Sequence, residues 1–185
     1  MNKVSVRKRY LAQRNSLTKS EVVTKSSQIF KYTSKLPVLQ KAKKISLYLP
    51  INNEVETKNL INLLNNSGKE VYLPKFISDS SYSFTEFTAW DNLEKGPLGI
   101  LQPVSFQKKS NFDIDLAILP GVAFDKNGVR LGWGKGVFDR LLAKSQALRI
   151  GLAYDFQIVE DLPKDEHDLS MDIIVTEKEV IEVRG

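Results

Sequence analysis

Apolar residues recur along this 185-residue chain with two periods, a helical one before Pro37 and a strand-like one from Ile45 onward. Residues 3–15 hold no Gly or Pro and predict a helix; at about 100° per residue, Lys3, Arg7, Tyr10 and Arg14 fall within some 60° of one another, a basic stripe. A second helix is expected from Thr18, where Thr18-Lys19-Ser20-Glu21 fits a capping box, with Val22, Ile29, Thr33 and Leu36 facing the core and Pro37 stopping it. Ile45, Leu47 and Leu49 then alternate with Ser46 and Tyr48, a strand that Pro50 ends. A helix over 57–66 closed by Gly68 and a short strand over 70–73 before Pro74 complete a β-α-β unit. Residues 82–87 read as a strand, and 90–110, with Gly96-Pro97, Gly99 and Pro103, as a connecting loop.

The continuous apolar run 115–119 suits a strand covered on both faces, and it ends at Pro120-Gly121. A loop over 124–128, a glycine-rich segment over 130–136, a helix over 137–146 and strands over 148–154, 172–176 and 179–183 follow. Strands alternating with helices predict a single three-layer α/β domain over 1–185 with a mostly parallel sheet flanked by helices. Ligands of such sheets bind beyond the carboxyl ends of the strands, here the segments after Leu49 and after Leu119.

Composition narrows the chemistry. With no Cys and one His, the chain lacks a thiolate nucleophile, a Cys-ligated metal and a His-rich site. Carboxylates, Lys, Arg, backbone amides or a bound ion must serve instead. No apolar run approaches a membrane span, and the segment 1–9 has no apolar stretch behind its charges, so a cytoplasmic protein is expected. The net charge of +5 conceals an asymmetry: residues 1–44 hold twelve Lys or Arg and one acid, Glu21, for +11, whereas 45–185 carry −6. That points to a polyanionic partner.

Gly132, Gly134 and Gly136 enclose Lys135 and precede a helix, with Arg130 two residues upstream. Glycines admit an anion close to the backbone, and the flanking cations add positive charge, which together describe a phosphate cradle. A Walker A loop would need Gly at Val129 and Ser or Thr at Gly136, and the dinucleotide fingerprint would need Gly at Val137. Neither fits. A merely flexible glycine-rich connection is the bland alternative.

The segment 120–142, with Phe124-Asp125, Gly128, Arg130-Leu131-Gly132, Gly134-Lys135-Gly136 and Asp139-Arg140, closely resembles the signature of the 5-formyltetrahydrofolate cyclo-ligase family. Lys3, Arg7 and Arg14, Tyr48-x-Pro50 followed by Glu54, Leu73-Pro74, Gly99-Ile100 with Pro103, and Leu162-Pro163 followed by His167-Asp168 and Asp172 extend the resemblance over essentially the whole chain. The resemblance implies ATP-dependent conversion of 5-formyltetrahydrofolate to 5,10-methenyltetrahydrofolate, with ADP and phosphate as the other products. It implies an ATP site built from Lys3, Val4, Ser5, Val6 and Arg7 on the first helix and from Arg130, Leu131, Gly132, Trp133, Gly134, Lys135, Gly136, Val137 and Phe138. Lys135, Arg130 and Arg7 would carry catalysis, Leu49 and Glu54 would contact the folate, and Asp139 and Asp168 would bind Mg²⁺. On the bland side, Asp139 favours a helix N-terminus, Asp168 and His167 are turn residues, and Glu54 is exposed.

The chain departs from the family in having Val137-Phe138 where two aromatics are usual, and Leu98 where an aromatic commonly precedes Gly99-Ile100. A relative that keeps the ATP site and takes another substrate is therefore one alternative. A nucleic-acid-binding module is another, although Tyr10, Phe30 and Tyr32 form no evident stacking platform. The partners expected are a small-molecule folate and ATP, with no nucleic acid or membrane, for a monomer. Replacing Arg7 by Ala is expected to weaken ATP use without altering the glycine-rich segment.

Overall fold

The strand alternation after Lys43 and the apolar run after Asp115 become neighbours at the centre of one sheet. The computed structural model describes residues 2–78, 81–104, 113–165 and 168–183. Its helices are α1 (Lys3–Asn15), α2 (Lys19–Thr33), α3 (Pro37–Lys41), α4 (Lys58–Asn66) and α5 (Val137–Leu141). Its strands are β1 (Lys44–Ser46), β2 (Glu70–Ser78), β3 (Ser81–Glu86), β4 (Leu93–Lys95), β5 (Leu101–Pro103), β6 (Leu116–Pro120), β7 (Ala123–Asp125), β8 (Arg130–Leu131), β9 (Leu148–Leu152), β10 (Ile158–Val159), β11 (Ile173–Val175) and β12 (Val180–Glu182).

Seven strands form the main sheet in the order β12-β11-β9-β6-β1-β2-β3. The inner pairings are parallel, and each edge strand, β3 and β12, is antiparallel to its neighbour. This is the α/β architecture expected, with β6 central and buried throughout. Its side chains alternate between two cores. Leu116 and Ile118 join Ile29, Leu39, Leu60, Ile61 and Leu64 of the helices on one face, and Ala117 and Leu119 join Tyr72, Phe84, Phe124 and Leu142 on the other. The α2 capping box forms as read: Glu21 N–H donates to the Thr18 hydroxyl, and Thr18 N–H to the Glu21 carboxylate.

Several elements differ from expectation. Pro37 opens a helix, α3, because its missing N–H costs nothing at the first helical position. Strand β2 runs through Pro74, since on the side facing β1 the register ends at Tyr72 and no partner there requires a Pro74 N–H. The described part of 90–110 contains the hairpin β4/β5, and 105–112 lie outside the described residues. The expected loop at 124–128 is the turn of a β7/β8 hairpin, with β10 parallel to β7 on the other side. Asp125 holds that turn: its carboxylate accepts the N–H groups of Asn127, Val129 and Leu162. Helix α5 is a single turn and stops at Leu141, short of residue 146, where Ser145 instead caps the Ala147 N–H.

Candidate active site

The glycine-rich segment leaves β8 and crosses the region beyond the carboxyl ends of β1 and β6. Gly134 has φ +96° and Gly136 φ +57°, left-handed conformations that a side chain would strain, so the segment folds back on itself before α5. Two glycines here serve the backbone path itself. Lys135 between them is exposed, and no described residue hydrogen-bonds to its side chain.

Helix α1 lies against this segment. Val6 is buried with Ala123, Val129, Leu131 and Leu162, which docks the helix on the β7/β8 hairpin. Val4 is exposed, and Ser5 N–H donates to the Asn2 cap. Val6 and Leu131 are thus packing residues whose backbones are paired as well: Val6 N–H donates to the Asn2 carbonyl, and the Leu131 carbonyl accepts Val122 N–H. From the same helix Arg7 Nε donates to the Gly132 carbonyl at 2.9 Å. The first helix and the glycine segment are therefore in direct contact, so replacing Arg7 removes a bond to that segment as well as a cation.

Cations and carboxylates here are cross-paired. Arg130 is 7% exposed and donates to Asp139 Oδ1 at 2.7 Å and to the Pro120 carbonyl at 3.3 Å. Lys3 Nζ reaches Asp165 Oδ2 at 2.7 Å and Asp168 Oδ2 at 2.5 Å. Burial works against both charges of the Lys3/Asp168 pair, but their mutual attraction and hydrogen bonds outweigh it. The Lys3 ammonium is held above its ordinary range and the Asp168 carboxyl below. Asp139 and Asp168 are thereby both brought to the Arg130 side of the site, while His167 and the side chain of Leu98 lie outside the described residues.

Glu54 is not the exposed surface carboxylate of the bland alternative. It is 5% exposed, and two left-handed residues before it, Asn52 and Asn53, turn the chain after β1 back toward α1. Its Oε2 accepts the Ile51 N–H at 3.1 Å, and its Oε1 accepts Trp133 Nε1 at 2.9 Å and lies 3.7 Å from Arg14. Burial raises the Glu54 carboxyl, opposed by Arg14, Trp133 and Ile51. Leu49 packs partly buried at the edge of the nearby core, and Val137 and Phe138, the first two residues of α5, are partly buried.

Sequence reasoning missed two relationships. Arg14 shares the stripe of Lys3 and Arg7, yet it is buried and committed to the strand ends: Nε donates to Asn52 O, one terminal nitrogen donates to Gly121 O, and the guanidinium stacks 5.3 Å from the Trp133 ring centre. The Trp133 to Glu54 bond spans 79 residues, and no local spacing announces it.

The arrangement can hold an anionic chain against Gly132–Gly136, Arg7, Arg130 and Lys3, and an N–H-rich group against Glu54. The 5-formyltetrahydrofolate cyclo-ligase family matches residues 1–177. The Escherichia coli (strain K12) 5-formyltetrahydrofolate cyclo-ligase is 32% identical over 181 residues, covering 92% of this chain and 97% of the relative. The mouse enzyme of that name is 33% identical over 152 residues, 75% of each chain. The solved structure of Aquifex aeolicus 5,10-methenyltetrahydrofolate synthetase superposes with a TM-score of 0.89 at 38% identity, covering 100% of this chain and 94% of that one. The Mycoplasma pneumoniae 5,10-methenyltetrahydrofolate synthetase superposes with a TM-score of 0.75 at 30% identity, covering 96% and 99%. By sequence along its length and by fold, this chain belongs to the 5-formyltetrahydrofolate cyclo-ligase family of enzymes.

Proposed function

We propose that the chain converts 5-formyltetrahydrofolate to 5,10-methenyltetrahydrofolate at the expense of ATP, as a monomeric cytoplasmic enzyme whose 185 residues act as one unit. The observation that carries the reading is the convergence, in a member of this family, of a glycine-rich anion cradle and a buried carboxylate within one chain, bridged by Trp133. In the reaction the formyl oxygen attacks the γ-phosphorus of ATP and ADP leaves. The folate N10 then attacks the activated carbon, N10 gives up its proton, and phosphate departs with the former formyl oxygen. Charge neutralisation and positioning dominate such a transfer, which suits a site without Cys or His nucleophiles.

Arg130, Arg7, Lys3 and the amides of 132–136 would bind the phosphates, and exposed Lys135 would meet charge developing on the transferred group. Glu54 would accept hydrogen bonds from the pterin N–H groups, with Leu49 beside it. The donor set also fits a divalent cation. Asp139 uses Oδ1 for Arg130 and Leu169 N–H, and Asp168 uses Oδ2 for Lys3 and Asp165 N–H, so among the described residues the second oxygen of each carries no bond. Two such carboxylates, with phosphate and water, are what Mg²⁺ takes, whereas a cluster of three or more protein ligands is absent among the described residues. Bound there, Mg²⁺ would neutralise phosphate charge.

The nucleic-acid alternative loses ground because Lys3, Arg7 and Arg14 all turn inward to protein partners. The test is direct: purified protein, ATP, Mg²⁺ and 5-formyltetrahydrofolate should yield the absorbance of the methenyl product. Folded protein without an ATP-dependent signal overturns the reading.

A further inference from the structure

Among the side chains of the glycine-rich segment, Trp133 makes the contact with the carboxylate proposed for the folate. Its indole N–H takes one lone pair of Glu54 Oε1 while Ile51 N–H takes one of Oε2, so each oxygen is fixed in direction and keeps a lone pair for a further donor. Arg14 completes the frame. It lies 3.7 Å from Oε1, its guanidinium stacks on the Trp133 ring, and its own position is set by the Asn52 and Gly121 carbonyls. Trp133 is itself 39% exposed and flanked by two glycines, so neither its own packing nor a rigid backbone explains its placement.

We infer that Trp133 is a positioning residue for folate recognition, holding the Glu54 carboxylate through its indole N–H so that both oxygens face the pterin edge. The inference rests on the proposed folate-binding role of Glu54. It also gives the phosphate segment a direct effect on folate affinity, because Trp133 lies between Gly132, which Arg7 holds, and Gly134. The groups around Glu54 are Arg14 from α1, Tyr48 after β1, the Ile51 amide and Trp133. Of these, Arg14, Ile51 and Trp133 favour the ionised carboxyl against burial. Removing the indole N–H therefore raises the Glu54 carboxyl further, and folate affinity, which needs the ionised form, fails at a higher pH than before.

The test compares wild type with Trp133→Phe, which keeps a ring over Arg14 and lacks the N–H. The variant is expected to raise KM for 5-formyltetrahydrofolate roughly ten-fold, consistent with loss of one hydrogen bond to a charged group. Because the variant keeps the residue 133 amide in the phosphate segment, any change in KM for ATP should be smaller than the change in KM for the folate, and the acid limb of kcat/KM for the folate should shift to higher pH. In Glu54→Gln, the further change Trp133→Phe should add little. An unchanged or lowered folate KM, an unmoved acid limb, or a full effect persisting in Glu54→Gln overturns the role of Trp133. Calorimetric binding separates the two levels: wild-type protein that fails to bind 5-formyltetrahydrofolate overturns the functional reading, whereas equal binding by wild type and Trp133→Phe overturns the inference alone.

Discussion

Lys3 and Asp168 form an ion pair, Nζ 2.5 Å from Oδ2, that ties the first residue of α1 to the chain before β11. Arg130 and Asp139 form a second, at 2.7 Å. Two of the cations proposed for phosphate, Lys3 and Arg130, thus each hold a carboxylate proposed for the metal. Under the proposed roles, a polyphosphate entering with a divalent cation would exchange partners with both pairs. The cation alone would take Asp139 from Arg130, which is 7% exposed, an unfavourable outcome at a buried position.

Asp168 is therefore expected to set the metal requirement. In Asp168→Asn the concentration of Mg²⁺ needed for half-maximal turnover should rise about ten-fold or more at fixed ATP. A Mg²⁺ titration checks this, and a curve superimposable on wild type would remove Asp168 from the ligand set.

Lys135 touches no described residue through a hydrogen bond, so its side chain contributes little to the folded state. Lys135→Ala should lower turnover about 100-fold or more while the melting temperature stays within about 2 °C of wild type. Turnover near normal in a folded variant would strip Lys135 of its assigned role.

Arg7 has two duties that one variant exposes. Arg7→Ala removes a cation proposed to bind phosphate and frees the Gly132 carbonyl. Its KM for ATP should rise on the order of ten-fold, and hydrogen exchange at the amides of 132–136 should quicken. Unchanged exchange would mean that the segment holds its shape without α1.

The strands and helices that repeat a simple period were legible in the chain. The α1 stripe, the Thr18 capping box and the central β6 all follow from local pattern. Pro37 and Pro74 misled because the meaning of a proline depends on whether a neighbour needs its N–H, which is settled by pairing distant in sequence. At the site, Gly134 and Gly136 were readable from their spacing around Lys135 ahead of a helix. Arg14 was not: about two turns of helix separate it from Arg7 on the same stripe, yet it is buried among the Asn52 and Gly121 carbonyls, and only the assembled sheet distinguishes the two.

Asp115 offers a stability test remote from the chemistry. Its Oδ2 accepts the N–H groups of Lys43 and Lys44 at 2.8 and 2.9 Å, its own N–H donates to the Lys44 carbonyl, and its carbonyl accepts Leu148 N–H, so one residue joins the starts of β1, β6 and β9. The Lys44 amide foremost, and then the Lys43 amide and both lysine charges, outweigh burial and hold this carboxyl below its ordinary range. A depressed carboxyl stabilises fully above its unfolded-chain value of about 4 and loses that contribution as the pH falls through the lower folded value. The group is exposed, so Asp115→Ala should cost only about 1 kcal/mol at neutral pH, a fall of about 2–4 °C in Tm. The gap between wild type and variant should close as the pH drops below about 4, because the wild-type carboxyl is then being protonated. A gap that stays constant from pH 7 to pH 3 would show that the carboxylate charge plays no part in joining the three strands.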